Sequence, residues 1–270
     1  MKYFLLCWLA FAMPLRASLP ATPLESVYHA LLDTRPSDAW EQLLASEARL
    51  SGRAQRIAWR QALEQLVAGQ CGKDIPLTLP PGVEALTLKL VQRDLPLSRI
   101  YRVELNGRLT RPEIRFSLTM PDGVELLSGQ PRETEPDGGF RIESQERAVG
   151  LLSGVWRLTI KEGNKVYVLP LALQGAAELN WLTRVDGQIQ VKPPAVPGHC
   201  PSPWFEQALL NRADFQIIDW RRDDTFHWQR WQVKDSQQRY WSSLSVISAE
   251  TRGGLVLEHE QRLAGPLAQF

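Results

Sequence analysis

The chain has 270 residues, and its 31 lysines and arginines nearly balance 30 aspartates and glutamates, which leaves a net charge of +1. This balance argues against a nucleic-acid-binding protein and against electrostatic binding to an anionic membrane. Hydrophobic residues make up 44% and charged residues 23% of the chain, values typical of a globular protein with room for two or three small domains. Tryptophan is unusually frequent, with 10 residues.

Residues 1–21 have the composition of a cleaved secretory signal. Lys2 precedes an apolar run, residues 3–13, which a proline and several small residues follow. The run is too short for a membrane anchor, and no later stretch approaches the roughly 20 apolar residues of a spanning helix. We therefore expect cleavage after Ala17 or Ala21 and a mature periplasmic protein, with secretion as the alternative.

The cysteine count points to one disulfide. Cys7 lies in the leader and follows too short an apolar segment for lipid attachment, so Cys71 and Cys200 remain in the mature chain. In an oxidising compartment such a pair is more often bridged than free, and we predict a Cys71–Cys200 disulfide. Oxidation also argues against a nucleophile formed by His199 and Cys200.

Residues 22–72 have the periodicity of three short helices. A capping box that begins at Thr22, with proline at the first helical position, predicts the start of the first helix. The second is predicted to begin near Ser37 or Asp38, and glycines at residues 69 and 72 end the third. The apolar stripes are Leu24, Val27, Tyr28, Leu31 and Leu32, then Trp40, Leu43, Leu44 and Ala48, and finally Trp59, Ala62, Leu63, Leu66 and Val67. Short links predict antiparallel neighbours.

Residues 73–174 change to the two-residue alternation of β-strands. Asn106 and Gly107, between two alternating runs, predict a hairpin turn. Alternate residues of a later strand, beginning with Trp156, are predicted to face inward, and Pro170 indicates that its strand lies at a sheet edge. Six or seven short strands with turns at regular spacing predict an immunoglobulin-like antiparallel β-sandwich.

Residues 175–270 are predicted to form a second antiparallel β-sandwich-like module. Its alternating runs include Asp214–Arg222 and Phe226–Lys234. A proline-rich loop, residues 192–203, interrupts the module, and a short helix is predicted from Ser202 to Asn211. The predicted fold class is therefore α+β, with a three-helix segment followed by two immunoglobulin-like sandwiches. The disulfide would join the end of the helical segment to the proline-rich loop.

The run from Pro23 through Leu44, followed by Cys71, Gly72, Lys73 and the next strand, resembles an exported gammaproteobacterial family catalogued as domain of unknown function 2861. The resemblance covers nearly the whole mature chain, and the Cys-Gly-Lys triplet is its most specific part. It implies a periplasmic or secreted protein. It implies no assigned activity, no cofactor and no catalytic residues.

A tryptophan-rich segment in the last third of the chain is the candidate ligand or partner surface. It contains Trp220, Arg222, Trp228, Trp231 and Trp241. Indole rings beside hydrogen-bonding groups suit sugar rings, and tryptophan and arginine are also enriched in protein–protein hot spots. Strand alternation places Trp228 and Trp231 on opposite faces, so at least one of them should be buried. The alternative is that most of these tryptophans fill the core.

Catalytic and metal-binding patterns are weak throughout the sequence. Adjacent Asp223 and Asp224 diverge on a predicted turn, so they do not form the converging carboxylate pair of a glycosidase. On a strand, His259 points away from Glu258 and Glu260, which argues against a metal site. We therefore predict no metal and no cofactor.

These patterns predict a non-catalytic binding protein of the periplasm. Its expected partner is another envelope protein, with a glycan as the second choice. Surfaces of the second β module, with its tryptophan-rich segment, are the expected contact, and the helical hairpin is a second expected contact. No nucleic acid and no membrane span after signal cleavage are predicted. The alternatives are a hydrolase of cell-wall or polysaccharide material and a purely structural subunit of an envelope assembly.

Overall fold

The computed structural model describes residues 22–111, 113–131, 138–175, 179–185, 188–233 and 239–270. The predicted signal, residues 1–21, and both predicted cleavage positions lie outside this part of the chain. Within it, a short helical segment precedes strands that form three sheets, so the α+β class is confirmed. None of the described helices is both long and apolar enough to cross a membrane.

The helical segment contains three helices, as its periodicity predicts. They are α1 (Glu25–Leu32), α2 (Pro36–Ser46) and α3 (Gly52–Gln70), with a 3-10 turn at Glu47–Arg49. The predicted apolar stripe of α3 is buried, and the Trp59 indole donates to the Leu43 carbonyl over 3.0 Å. The predicted capping box is wrong. The Thr22 carbonyl, not its hydroxyl, accepts the N–H of Glu25, so the backbone makes this contact instead of the side chain.

Thirteen strands lie in the described part of the chain. They are β1 (Val83–Asp94), β2 (Arg99–Leu109), β3 (Ile114–Thr119), β4 (Glu125–Gly129), β5 (Gly139–Glu143), β6 (Gly154–Glu162), β7 (Lys165–Leu173), β8 (Leu182–Val185), β9 (Gln188–Val191), β10 (Trp204–Asn211), β11 (Ile217–Asp223), β12 (Tyr240–Arg252) and β13 (Leu255–Pro266). A seven-stranded sheet, in the order β11-β10-β12-β13-β1-β2-β5, curls into a half-barrel. The other sheets are β4-β3-β6-β7 and the hairpin β8-β9. β1 and β13 are parallel, and the other neighbours are antiparallel.

The seven-stranded sheet combines strands from both predicted sandwich modules. β1, β2 and β5 come from residues 73–174, whereas β10 to β13 come from residues 175–270. One hydrophobic core includes residues of the helices and of both larger sheets, among them Trp156, which faces inward as predicted. Pro170 lies on β7, which is an edge strand as predicted. An arrangement of immunoglobulin-like sandwiches is not confirmed.

The predicted hairpin turn at Asn106 and Gly107 is wrong, because both residues lie inside β2. Gly107 pairs with β1 on one side and with Phe140 of β5 on the other. A Cβ atom on Gly107 would lie 2.3 Å from the Ala85 carbonyl oxygen and 2.8 Å from the Phe140 ring. Close packing therefore requires this glycine, and β2 continues to Leu109 before the chain passes to β3 in the four-stranded sheet.

The predicted helix from Ser202 to Asn211 is also wrong, because most of this segment forms β10. A short apolar run fits the period of either element, and length and context decide between them. Here alternate side chains, Phe205 and Leu209 among them, are buried. β10 is an interior strand between β11 and β12, so its backbone groups have partners on both sides.

The predicted strand from Phe226 to Lys234 is wrong for the described residues 226–233, which are irregular. The Gln207 side chain of β10 holds this segment. Its amide donates to the His227 carbonyl over 3.1 Å and accepts the Gln229 N–H over 3.3 Å. These bonds replace the ladder that a strand would have formed.

The predicted disulfide between Cys71 and Cys200 is present, across a sequence separation of 129. Cys71 ends α3 in the left-handed conformation, with φ at 57°, and its carbonyl accepts the Thr251 N–H at 2.9 Å and the Thr251 hydroxyl at 2.7 Å. Gly72 approaches β12 so closely that a Cβ atom would lie 1.9 Å from the Thr251 carbonyl oxygen. The end of the helical segment is thus attached both to the proline-rich loop and to β12.

We expect the double substitution Cys71→Ala and Cys200→Ala to lower the free energy of unfolding by about 5 kcal/mol or less, since the opened loop gains entropy in the unfolded state. Urea unfolding measures the loss. The contacts of Thr251 with the Cys71 carbonyl do not need the sulfur, so the variant should remain folded. Wild-type protein unfolded under reducing conditions is the matched control, and an unchanged unfolding midpoint in both would contradict the prediction.

Candidate binding surface at strand β11

β11 forms one edge of the seven-stranded sheet and carries exposed apolar side chains. It pairs with β10, and no strand in the described ranges pairs with its other side. Ile217, Ile218 and Trp220 are 63%, 52% and 50% exposed, and Phe215 just before the strand is 53% exposed. An unpaired edge offers backbone donors and acceptors to another strand, so this edge is open to strand addition.

The turn before β11 is held by local hydrogen bonds and an aromatic contact. The Asp214 carboxylate accepts the Gln216 N–H over 3.1 Å, and Phe215 between them adopts a left-handed conformation, with φ at 56°. The Phe215 ring makes an edge contact with Trp241, with 5.9 Å between the ring centroids. This turn therefore places an exposed aromatic ring directly beside the start of β11.

Trp220 and Arg222 lie on the same face of β11 but have different surroundings. Trp220 pairs with Ala208, whose small side chain covers little of the indole ring. Arg222 lies over the Trp204 ring, 4.6 Å from its centroid, and the Trp204 indole donates to Glu206 over 2.8 Å. Arg222 is thus engaged with Trp204, and Trp220 is the exposed aromatic of this face.

The other three predicted tryptophans do not extend the surface. Trp231 is 4% exposed, and the Arg221 guanidinium lies 4.0 Å from its ring centroid. Trp228 is half-buried against a small core cluster, and Trp241 is half-buried beside Phe215. At least one of Trp228 and Trp231 is buried, as expected, although their segment is not a strand. The four tryptophans do not form one face.

The Trp220 face continues across the sheet toward β1 and β2 as an ion-pair network, which the sequence patterns above did not predict. Lys89 lies 3.1 Å from Glu258 and 3.6 Å from Glu260, and Arg262 lies 2.7 Å from Glu260. Burial acts to raise the pKa of Glu260, but Arg262 and Lys89 outweigh burial and lower it. The alternation of charged residues along β13 was the available signal. The network balances its own charges, and the apolar part of the face lies at β11.

A second acid with a shifted pKa, Glu250, is half-buried on the opposite face of the sheet. Its carboxylate is 2.7 Å from Arg252 and 3.7 Å from His259. Burial acts to raise the pKa of Glu250, but Arg252 and His259 outweigh burial and lower it to about 2. The general acid of a glycosidase needs a raised pKa, so neither Glu250 nor Glu260 has the property that this role requires.

One cluster of cysteine and histidine side chains has the spacing of metal ligands. In the described part of the chain, one group has suitable spacing, Cys71, His199 and Cys200, with ligand atoms within 4.8 Å of one another. Both sulfurs belong to the disulfide, and His199 Nε2 lies 3.1 Å from the Ala68 carbonyl oxygen. Neither sulfur is a thiolate while the disulfide is intact, so neither is a metal ligand or a nucleophile in this state.

Comparison with known proteins places the chain in a family without assigned activity. A family model described as a protein of unknown function (DUF2861) matches residues 20–268. The chain belongs to this family. No curated protein matches it. A solved structure described as "Biofilm associated protein - BSP domain" is 7% identical to this chain, with a TM-score of 0.25. The match covers 68% of this chain and 29% of that chain, and a score this low does not establish a shared fold.

We expect Glu250→Gln to weaken the acid sensitivity of the fold. The pKa of about 2 lies below the ordinary 4.5, so ionised Glu250 stabilises the folded state above about pH 4.5 and loses this effect as the pH falls toward 2. Between pH 6 and pH 3 the wild type should lose about 2 kcal/mol through this group, and the variant should not. Urea unfolding at both pH values measures the difference.

The control is Glu64→Gln, which changes an exposed glutamate of α3 by the same chemistry. It should keep the wild-type loss of stability between pH 6 and pH 3. Equal losses in the wild type and in Glu250→Gln would contradict the assignment.

Proposed function

We propose that this protein is a non-catalytic binding protein of the cell envelope that binds an extended segment of another envelope protein along the free edge of β11. The observation that carries the proposal is the combination of unpaired backbone groups with the exposed side chains of Ile217, Ile218 and Trp220. An added strand gains main-chain hydrogen bonds, and its alternate side chains cover these apolar groups. The expected segment has apolar residues at alternate positions and no proline.

The other edges of the two larger sheets, β5, β4 and β7, support this choice, because each has a feature that opposes strand addition. β7 contains Pro170, which has no N–H to donate to an added strand. β5 presents Arg141 and Glu143, which form an ion pair, and β4 has only 5 residues. Short strands, prolines and charges are the usual protection of sheet edges. The apolar half of β11 contains no proline and one charged residue, Asp219, and its register with β10 shifts between Asp219 and Ile217.

A periplasmic location is part of the proposal, with secretion as the alternative. The Cys71–Cys200 disulfide supports it, because cytosolic thiols are kept reduced. The apolar leader of residues 1–21 supports it independently, since its length and flanking residues suit a cleaved signal.

A glycan is the second candidate ligand, and the exposed Trp220 ring beside Ala208 is the observation that favours it. A sugar ring stacks on a flat aromatic face. Trp231 is buried, and Trp228 and Trp241 are half-buried, so a second exposed ring of the predicted set does not flank Trp220. Because Trp220 is the single exposed ring of the predicted set, we place a protein partner before a glycan.

We expect Ile218→Lys to abolish partner binding, because a lysine on an edge strand opposes strand addition. A photo-crosslinking amino acid at Gln216, in the native host, should give one dominant cross-linked protein that disappears in this variant. Val168→Lys is the matched control, since Val168 is 50% exposed on edge strand β7. This control should leave the cross-link unchanged.

Hydrogen exchange then locates the contact. Adding the purified cross-linked partner should slow amide exchange in residues 217–223 and leave β7 unaffected. Cross-linking that survives Ile218→Lys, or protection confined to other strands, would overturn the proposal. A product that contains two copies of this chain would instead identify self-association, in which antiparallel pairing centred on Trp220 sets Asp219 opposite Arg221.

A further inference from the structure

Three arginines of α3 line a cavity on the helical side of the protein. Arg53, Arg56 and Arg60 are spaced three and four residues apart, which places them on one face of the helix. They line a space of about 280 Å³ together with Glu47, Leu50, Trp59 and residues 152–154. We name this space the arginine cavity. None of its residues belongs to β11, so it is independent of the proposed partner site.

The arginine cavity carries positive charge that no neighbouring carboxylate neutralises. No described carboxylate lies within 4.0 Å of Arg53, Arg56 or Arg60, and Glu47 is the single acid in the described lining. Other arginines of this protein have such partners. Arg35 lies 2.9 Å from Asp33, for example. With three guanidinium groups and one carboxylate, the cavity has a net charge of +2.

The position of these arginines near the N-terminus of α3 makes their positive charge less favourable still. The first turn of α3 contains Arg53 and no acidic residue, although the helix dipole favours anions there. Like charges three and four residues apart on a helix also repel one another. Arg60 is only half-exposed, so water screens its charge incompletely. An anion in the cavity would relieve each of these costs.

We infer that the arginine cavity binds the phosphate group of a ligand. A phosphate monoester carries a charge between about −1.5 and −2 at pH 7, which matches the net charge of the cavity. Guanidinium groups bind phosphate oxygens through paired, charge-assisted hydrogen bonds. Leu50 and the 41% exposed Leu152 supply an apolar rim. The phosphate can therefore belong to a lipid, whose apolar part would contact this rim, or be free phosphate in water.

Calorimetry on the full mature chain tests this inference with two probes, inorganic phosphate and a short-chain phosphatidic acid kept below its micelle concentration. Both should bind, and both should raise the melting temperature relative to chloride at the same ionic strength. Tighter binding of the phosphatidic acid would identify a lipid headgroup as the source of the phosphate, and equal binding would identify a free phosphate.

Arg56→Gln is expected to weaken binding of both probes by roughly 10-fold or more, because it removes a charge-assisted contact. Without phosphate, its melting temperature should equal or exceed that of the wild type, since repulsion from Arg53 and Arg60 is relieved. Arg157→Gln is the matched control, because Arg157 is an exposed arginine of β6 outside the cavity lining. It removes the same charge and should bind as the wild type does.

Arg53→Gln provides a second variant with the same expected loss of binding, in case one substitution alters folding. Absence of binding by the wild type, or equal binding by the wild type and both cavity variants, would overturn the inference. Equal weakening in Arg157→Gln would also overturn it, because the effect would then reflect net charge alone.

Discussion

The parallel pairing of β1 with β13 is the interaction on which the large sheet depends, because it joins strands from opposite ends of the described chain. Two buried glutamines lie at this pair. Gln261 donates to Asp94 over 2.8 Å and accepts the Leu182 N–H over 2.9 Å, while Gln92 accepts the Leu179 N–H over 2.9 Å. A buried amide without partners is costly, and a one-residue slip of either strand would move its glutamine to the other face. These bonds therefore specify the register and the entry into β8.

This long-range pairing also explains which parts of the fold the sequence could predict. The stripe that begins at Trp59 and the edge position of Pro170 depend on residues close in sequence, so periodicity and backbone chemistry predict them. β10 and Gly107 depend on neighbours distant in the chain, since Gly107 needs Phe140 of β5 beside it. Local sequence patterns favoured a helix where β10 lies and a turn at Gly107. The tryptophan excess drew attention to the segment that contains β11, but composition could not separate exposed Trp220 from buried Trp231.

Charge compensation separates the structural polar groups from the candidate sites. Glu260 is buried and Glu250 is half-buried, and each lies beside at least one cation that lowers its pKa. Removing one partner from such a pair leaves a largely buried charge uncompensated, so these ion pairs support the fold. The arginines of α3 have the opposite arrangement, with like charges adjacent and no described carboxylate within pairing distance. Sequence periodicity identified α3 by its apolar face and gave no information about how its polar face is neutralised.

β11 differs from the interior strands of the large sheet in how little of its side-chain surface is buried. Its side chains are exposed or half-exposed, so the strand gains little from burial within this chain. Full burial of one large apolar side chain contributes roughly 1.5–3 kcal/mol, and the exposed halves of Ile217, Ile218 and Trp220 retain part of that free energy for a partner. Association itself costs about 4–15 kcal/mol, so apolar contact at three residues alone would give weak binding. The main-chain hydrogen bonds of an added strand supply both further affinity and direction, and for this reason the open edge matters more to the proposed function than the tryptophan count.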